Sequence, residues 1–258
     1  MMSDNGKPKV GIFGLTGCAG CQLNILNIED HLLDILGLVD ITTWVMAKQE
    51  NSDGPWDIAF IEGSVAKESE VERVKKIREN SDVLIAIGAC ATHGGVPAIR
   101  NMRDIEEMKG TVYGAQTSHL DVIPIKPVSH YVDVDAELPG CPMDKMEFVR
   151  AVMALAMKKT PQIPNYSVCY ECRVNENPCL LDEGKFCMGP VTQAGCDSLC
   201  PSYGAACEGC RGPIAQVNWG AEVKILKEMG ATADQIRRKF LKYCPSTADM
   251  EEFQELTL

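Results

Sequence analysis

The sequence predicts an α/β protein: a doubly wound parallel sheet, then a small irregular segment rich in cysteine, then terminal helices. Three observations carry this. Strand and helix patterns alternate over roughly the first 135 residues. The strand runs are apolar on nearly every residue, as strands covered on both faces must be. Near residue 160 two prolines in "TPQIPNYSV" end the pattern, and eight of the 13 cysteines then crowd between Cys169 and Cys210.

Taken in order, "KVGIFGL" reads as the first strand. One helix is expected over Gln22 to Leu38, with Leu23, Leu26, Leu33 and Leu36 at helical spacing and a loop near Gly37. "DITTWVM" and "WDIAFIEG" read as the second and third strands. "KESEVERVKKIREN" is an amphipathic helix with Val71 and Val74 inward. "DVLIAIGAC" is the fourth strand, ending at Cys90, and Asp144 to Lys159 a long helix that closes the unit. This alternation is that of a flavodoxin-like sheet with helices on both faces. Two domains are expected, 1–160 and 161–258. The tail returns to helices, "AEVKILKEMG" stopped by Gly230 and "TADQIRRKFLKYC" opening with Thr232 and Gln235 at capping-box spacing.

With 258 residues, 45% apolar and 24% charged, the composition is that of an ordinary soluble protein. No apolar run approaches the ~18 residues a spanning helix needs. "MMSDNGKPKV" holds neither an apolar signal core nor a twin-arginine pair, so a cytoplasmic location is expected. A net charge of −11 argues against a nucleic-acid surface. In such a compartment 13 cysteines stay reduced, which makes metal binding the default reading.

In an open parallel sheet ligands bind beyond the carboxyl ends of the strands, at the switch in strand order. Cys18 and Cys21 lie just after the first strand, Cys90 at the end of the fourth, and Cys141 in "ELPGCPMD" before the long helix. Four thiolates from three loops on one edge can close around an iron–sulfur cube, and the glycine amides that suit a phosphate suit this anion as well. Glycines 11, 14, 17 and 20 do not fit G-x-G-x-x-G, which argues against a dinucleotide. A redox dithiol of Cys18 and Cys21 would leave Cys90 and Cys141 idle.

The second field places cysteines at 169, 172, 179, 187, 196, 200, 207 and 210 in a segment too poor in apolar residues to fold without bound metal. A pair of structural zinc ions is the plain alternative. The uneven spacings suit clusters wrapped by loops better, and eight ligands make two four-cysteine cubes whose partition the spacing leaves open. Cys244 has no neighbouring thiol in sequence and reads as a spare. Twelve ligands in three cubes describe a wire, not a reaction site.

The chain then resembles a known family. Cys18-x-x-Cys21, "FIEGSV", "GACATHGG" and "PGCPMD" resemble the small subunit of [NiFe] hydrogenases; "CYECRVN", "CMGPVTQAGC" and "CEGCRGP" resemble the delta subunit of cytoplasmic sulfhydrogenases and NAD(P)-linked hydrogenases, from about residue 9 to about 240. The resemblance implies that Cys18, Cys21, Cys90 and Cys141 bind the [4Fe-4S] cluster nearest the nickel–iron centre, that Cys196, Cys200, Cys207 and Cys210 bind the middle one, and that Cys169, Cys172, Cys179 and Cys187 bind the outermost. It implies a large-subunit partner bearing the NiFe centre and flavin/Fe–S diaphorase-type subunits that reduce NAD(P) or ferredoxin. Exported relatives have a histidine where this chain has Cys169, and commonly a three-iron middle cluster where this chain offers Cys200. A fourth thiolate should hold a complete cube and lower its potential, and a low-potential chain suits delivery to nicotinamide or ferredoxin better than to a quinone. The complex I subunit of the same fold uses adjacent cysteines at the first position and lacks the second field, so a complex I-like role fits less well.

Other residues weigh less. Glu62 matches an acidic family position near the innermost cluster but reads equally as a strand-end cap. His93 reads as a satisfied loop histidine, and His31, His119 and His130 as structural or surface groups. Arg173 and Arg211 each follow a cysteine pair and are placed to offset cluster charge. The sequence offers no nucleophile with its base, no paired carboxylates and no phosphate loop, so the expected role is electron relay for H2 oxidation or proton reduction, without an active site in this chain. A metal-stapled assembly subunit is the alternative.

Overall fold

In the computed structural model, residues 6–114, 116–117 and 119–245 are described. Five strands, Lys9–Gly14 (β1), Asp40–Trp44 (β2), Trp56–Glu62 (β3), Ser81–Ile87 (β4) and Ala136–Leu138 (β5), pair in parallel in the order β2-β1-β3-β4-β5. The order reverses at β1, so the crevice between β1 and β3 is the switch point at which such sheets bind ligands.

Alternate residues of the central strands feed two cores. Ile12, Phe60 and Ile85 point to one face, where Gly20–Leu26 (α1), Glu29–Leu38 (α2) and Lys145–Ala156 (α6) cover them, with Phe60 and Phe148 ring centroids 5.0 Å apart. Phe13, Ile61 and Ala86 point to the other face, against Val71, Val74 and Ile77 of Glu68–Glu79 (α3). Burial on both faces is why these strands read as unbroken apolar runs. Gly88–His93 (α4) and Ile105–Tyr113 (α5) complete the helices between α3 and α6.

Several sequence expectations are corrected. The single helix over 22–38 is two, because the chain breaks at Asn27 and restarts with Glu29 and Asp30, acids that suit a helix N-terminus. The buried side chains there are Ile25, Ile28 and Ile35, whereas Leu23, Leu33 and Leu36 are 48%, 79% and 43% exposed. Cys90 does not end a strand: β4 stops at Ile87 and Cys90 lies within α4. The three-residue β5 is too short to give a sequence signal.

Beyond α6 the chain builds a separate core. Val168–Val174 (α7) carries Cys169 and Cys172, Leu199–Ser202 (α8) carries Cys200, and Trp219–Glu228 (α9) packs on Ala233–Leu241 (α10), with Trp219 and Phe240 centroids 4.9 Å apart. Leu180, Met188 and Val191 join Val223, Leu226 and Ile236, so the cysteine field contributes to an apolar core more than its composition suggests. Residues 246–258 of the expected second domain lie outside the described residues.

Candidate functional site

Cys18 and Cys21 flank the start of α1 at the switch point. Ala19, with φ 60°, takes the left-handed turn that lets both thiols emerge from one short loop, Cys18 exposed and Cys21 buried. Glu62, the last residue of β3, fixes this turn. Its carboxylate accepts from the Cys21 amide (2.9 Å) and from the Gln22 side chain (2.8 Å), which in turn accepts from the Trp44 indole (2.9 Å). Glu62 is thus a buried cap, satisfied by two donors. The Ala89 amide donates to the Gly140 carbonyl at 2.7 Å, joining the segments of Cys90 and Cys141, and the Met143 amide donates to Cys21 Sγ at 3.5 Å.

Glycines make room around these sulfurs. A Cβ on Gly88, where φ is +81°, would collide with Cys21 Sγ; one on Gly95 would lie 2.8 Å from Cys90 Sγ and one on Gly20 3.1 Å from Cys18 Sγ. Burial pushes the Cys90 thiol up to about 12, with the charges of Cys141, Cys18 and Glu62 adding to it. Cys21 and Cys141 are pushed up as well, burial again being the main cause. Burial thus disfavours the free thiolate at these three positions, a cost that a bound metal would offset.

The cysteines of the second field also lie near one another, and Cys187 is close to Cys169 and Cys172 as well as to Cys200 and Cys207. Burial pushes Cys169 up to about 12, followed by its neighbours Cys187, Cys172 and Cys179. A Cβ on Gly189 would stand 3.3 Å from Cys169 Sγ and 3.5 Å from Cys187 Sγ. Cys196, raised to about 11 by burial and the Glu171 charge, has Cys210 beside it, and Cys200 and Cys207 are likewise influenced by Cys210. The two fields also meet one another. Cys141 of the first interacts with Cys210, and within the second the Cys207 amide donates to Cys187 Sγ at 3.3 Å. Among the described residues no three His, Cys, Asp or Glu side chains converge on a point that a single metal ion could occupy. The donor set of soft thiols, set in a cradle of glycines and backbone amides, fits iron–sulfur clusters.

Sequence reasoning missed three acids. Glu171, between Cys169 and Cys172, accepts from the Gly195 and Ser198 amides (2.7 and 2.9 Å) and so holds the Cys196 loop; the signal was an acid inside a Cys-x-x-Cys. Glu147 pairs with Arg211. Glu222 of α9 is buried with neither carboxylate oxygen hydrogen-bonded, and burial pushes it up to about 7. Of the two expected counter-charges, Arg211 is buried beside Cys196, while Arg173 is exposed. His93 packs its ring against Gly212, hydrogen-bonds Thr92 Oγ1 at 2.6 Å, and is pushed down to about 4 by burial and by Arg211. His31 lies 3.6 Å from Asp34 in a half-exposed pair. Cys244 is isolated only in sequence; its thiol is buried 3.8 Å from the Gly209 carbonyl, beside Cys210.

The chain matches the family of the NADH ubiquinone oxidoreductase 20 kDa subunit over residues 18–155, which leaves the second cysteine field outside the match. It is 39% identical to sulfhydrogenase 2 subunit delta of Pyrococcus furiosus over 232 residues, covering 90% of this chain and 97% of that one. It is 33% identical to a vhu subunit of the F420-non-reducing hydrogenase of Methanococcus voltae, covering 82% and 84%. Among solved structures, a chain of the NAD+-reducing [NiFe]-hydrogenase in its H2-reduced state superposes with a TM-score of 0.56 at 29% identity, over 61% of this chain and 96% of that one. No described helix is long and apolar enough to cross a membrane.

Proposed function

The chain belongs to the family of the NADH ubiquinone oxidoreductase 20 kDa subunit, in its hydrogenase small-subunit branch, and from that membership we propose that it is the electron-relay subunit of a [NiFe] hydrogenase. Three [4Fe-4S] clusters, innermost on Cys18, Cys21, Cys90 and Cys141, middle on Cys196, Cys200, Cys207 and Cys210, outermost on Cys169, Cys172, Cys179 and Cys187, would supply one-electron storage between a partner's NiFe centre and a flavin/Fe–S partner that reduces NAD(P) or ferredoxin.

One observation supports the reading most: cysteines far apart in the chain come beside one another, Cys169 near Cys187, Cys196 near Cys210, Cys141 near Cys210 and Cys207 against Cys187. The residues of this chain bind and orient. Glu62 and the Met143 amide hold Cys21, Glu171 holds the Cys196 loop, and the glycines beside the sulfurs leave space that a Cβ would fill. The two domains divide this work, residues 1–160 carrying the innermost site and 161–258 the other two. A cytoplasmic setting fits the cysteine usage.

Metal and sulfide analysis of the purified chain tests this. About twelve iron and about twelve acid-labile sulfide per chain are expected, together with copurification of a nickel-bearing large subunit. About two zinc ions and no sulfide would instead establish the metal-stapled assembly role.

A further inference from the structure

Arg211 comes directly after Cys210 and is the largest of the fully buried side chains among the described residues, 1% exposed. Its guanidinium donates to the Ala194 carbonyl (2.8 Å), to the Pro139 carbonyl (2.8 Å) and, as a fork, to both carboxylate oxygens of Glu147 (2.8 and 2.9 Å). The first acceptor lies two residues before Cys196 and the second two residues before Cys141. Glu147 stands in the first turn of α6, the helix that the Cys141 loop enters. One planar group therefore ties both ends of the middle set to the last cysteine of the innermost set.

The junction is closely fitted. A Cβ on Gly195 would lie 2.7 Å from Glu147 Oε1, and one on Gly212 would strike the ring of His93, in the helix of Cys90. Buried ion pairs add little net stability over apolar groups of similar size. What a bidentate arginine fork does supply is fixed distance and fixed orientation, which a lysine cannot reproduce.

We propose that Arg211 and Glu147 are positioning residues of the relay: their buried fork sets the separation and relative orientation of the innermost and middle sites, and the balance of their charges sets the potential of the middle one. This rests on the three-cluster reading above.

The test uses the full-length protein with its copurifying partners, iron and sulfide counted first. Fewer than three clusters in the wild type would overturn the relay reading itself, before any variant is compared. Redox titration followed by electron paramagnetic resonance then compares Glu147→Gln, Arg211→Lys and the double variant Arg211→Met/Glu147→Met. The double variant leaves no unpaired buried charge; it removes the donor of the Ala194 and Pro139 carbonyls but spares the larger cost of a lone buried ion, and so perturbs the fold less than removing one partner alone. Glu147→Gln, which leaves the guanidinium unneutralised, is expected to shift the middle potential upward. Arg211→Lys and the double variant are expected to lose the magnetic splitting between the reduced innermost and middle centres and to slow electron exchange between them, with the outermost potential unchanged. Wild-type potentials and splitting in all three variants, with only a lower melting temperature, would overturn the proposal and leave the pair a structural clip.

Discussion

Gly88 shows how narrow the tolerance is around a single sulfur. Its φ of +81° and the position of Cys21 Sγ leave no place for a methyl group. Gly88→Ala is expected to lose the innermost centre alone, lowering iron from about twelve to about eight per chain while the other eight cysteines keep theirs. His93 gives a pH signature. Its folded pKa, about 4, lies below the unfolded value of ~6.5, so the unfolded chain binds the extra proton and acid destabilises the fold. Between pH 7 and 5.5 the wild type should lose about 1 kcal/mol relative to His93→Gln in denaturant titrations. The comparison with the variant matters because Glu137 and Glu222, both raised to about 7 by burial, push the slope the other way. At this scale the thiols were legible because cysteine is scarce and its spacing is discrete. Glu147 was not, because an acid on an amphipathic helix carries no mark of the guanidinium that the fold brings to it from 64 residues away, and the place of Glu171 inside a Cys-x-x-Cys gives no hint of the Gly195 amide 24 residues on.

Among the elements, α10 depends on its first turn. Thr232 and Gln235 close a reciprocal capping box, and behind them Ile236, Phe240 and Leu241 enter the second core. Thr232→Ala is expected to cost about 1 kcal/mol in thermal or chemical unfolding, with the iron content unchanged. This helix and the central strands could be read from sequence because their signals are local: a capping pair in one, continuous apolar runs in the others. The leucines of α1 and α2 misled for the opposite reason. Their helical spacing is real, but the chain breaks into two helices at Asn27 and tertiary packing selects the isoleucine face. The short β5 and α7 owe their form to partners: β5 to the edge of β4, and α7 to the Cys196 loop that Glu171 holds.

Over the whole molecule, the proposed division of the cysteines into three sets is testable. Two alanine substitutions in one set, such as Cys169→Ala with Cys187→Ala, should remove about four irons, whereas Cys169→Ala with Cys210→Ala should remove about eight. A loss of about eight from the first pair would mean that the sets are divided differently. Spacing alone left this partition open, since eight cysteines at uneven intervals carry no mark of contacts such as the one that brings the Cys207 amide to Cys187, 20 residues away in the chain.

Solvent reaches these sulfurs unevenly: Cys18, Cys141, Cys179 and Cys200 are exposed, while Cys21, Cys187, Cys207 and Cys244 are buried. Every one of the three proposed sets therefore has at least one sulfur within reach of dissolved dioxygen. Corrosion should begin at those four, and a chain separated from its neighbours should spoil in air sooner than one whose open sulfurs they cover.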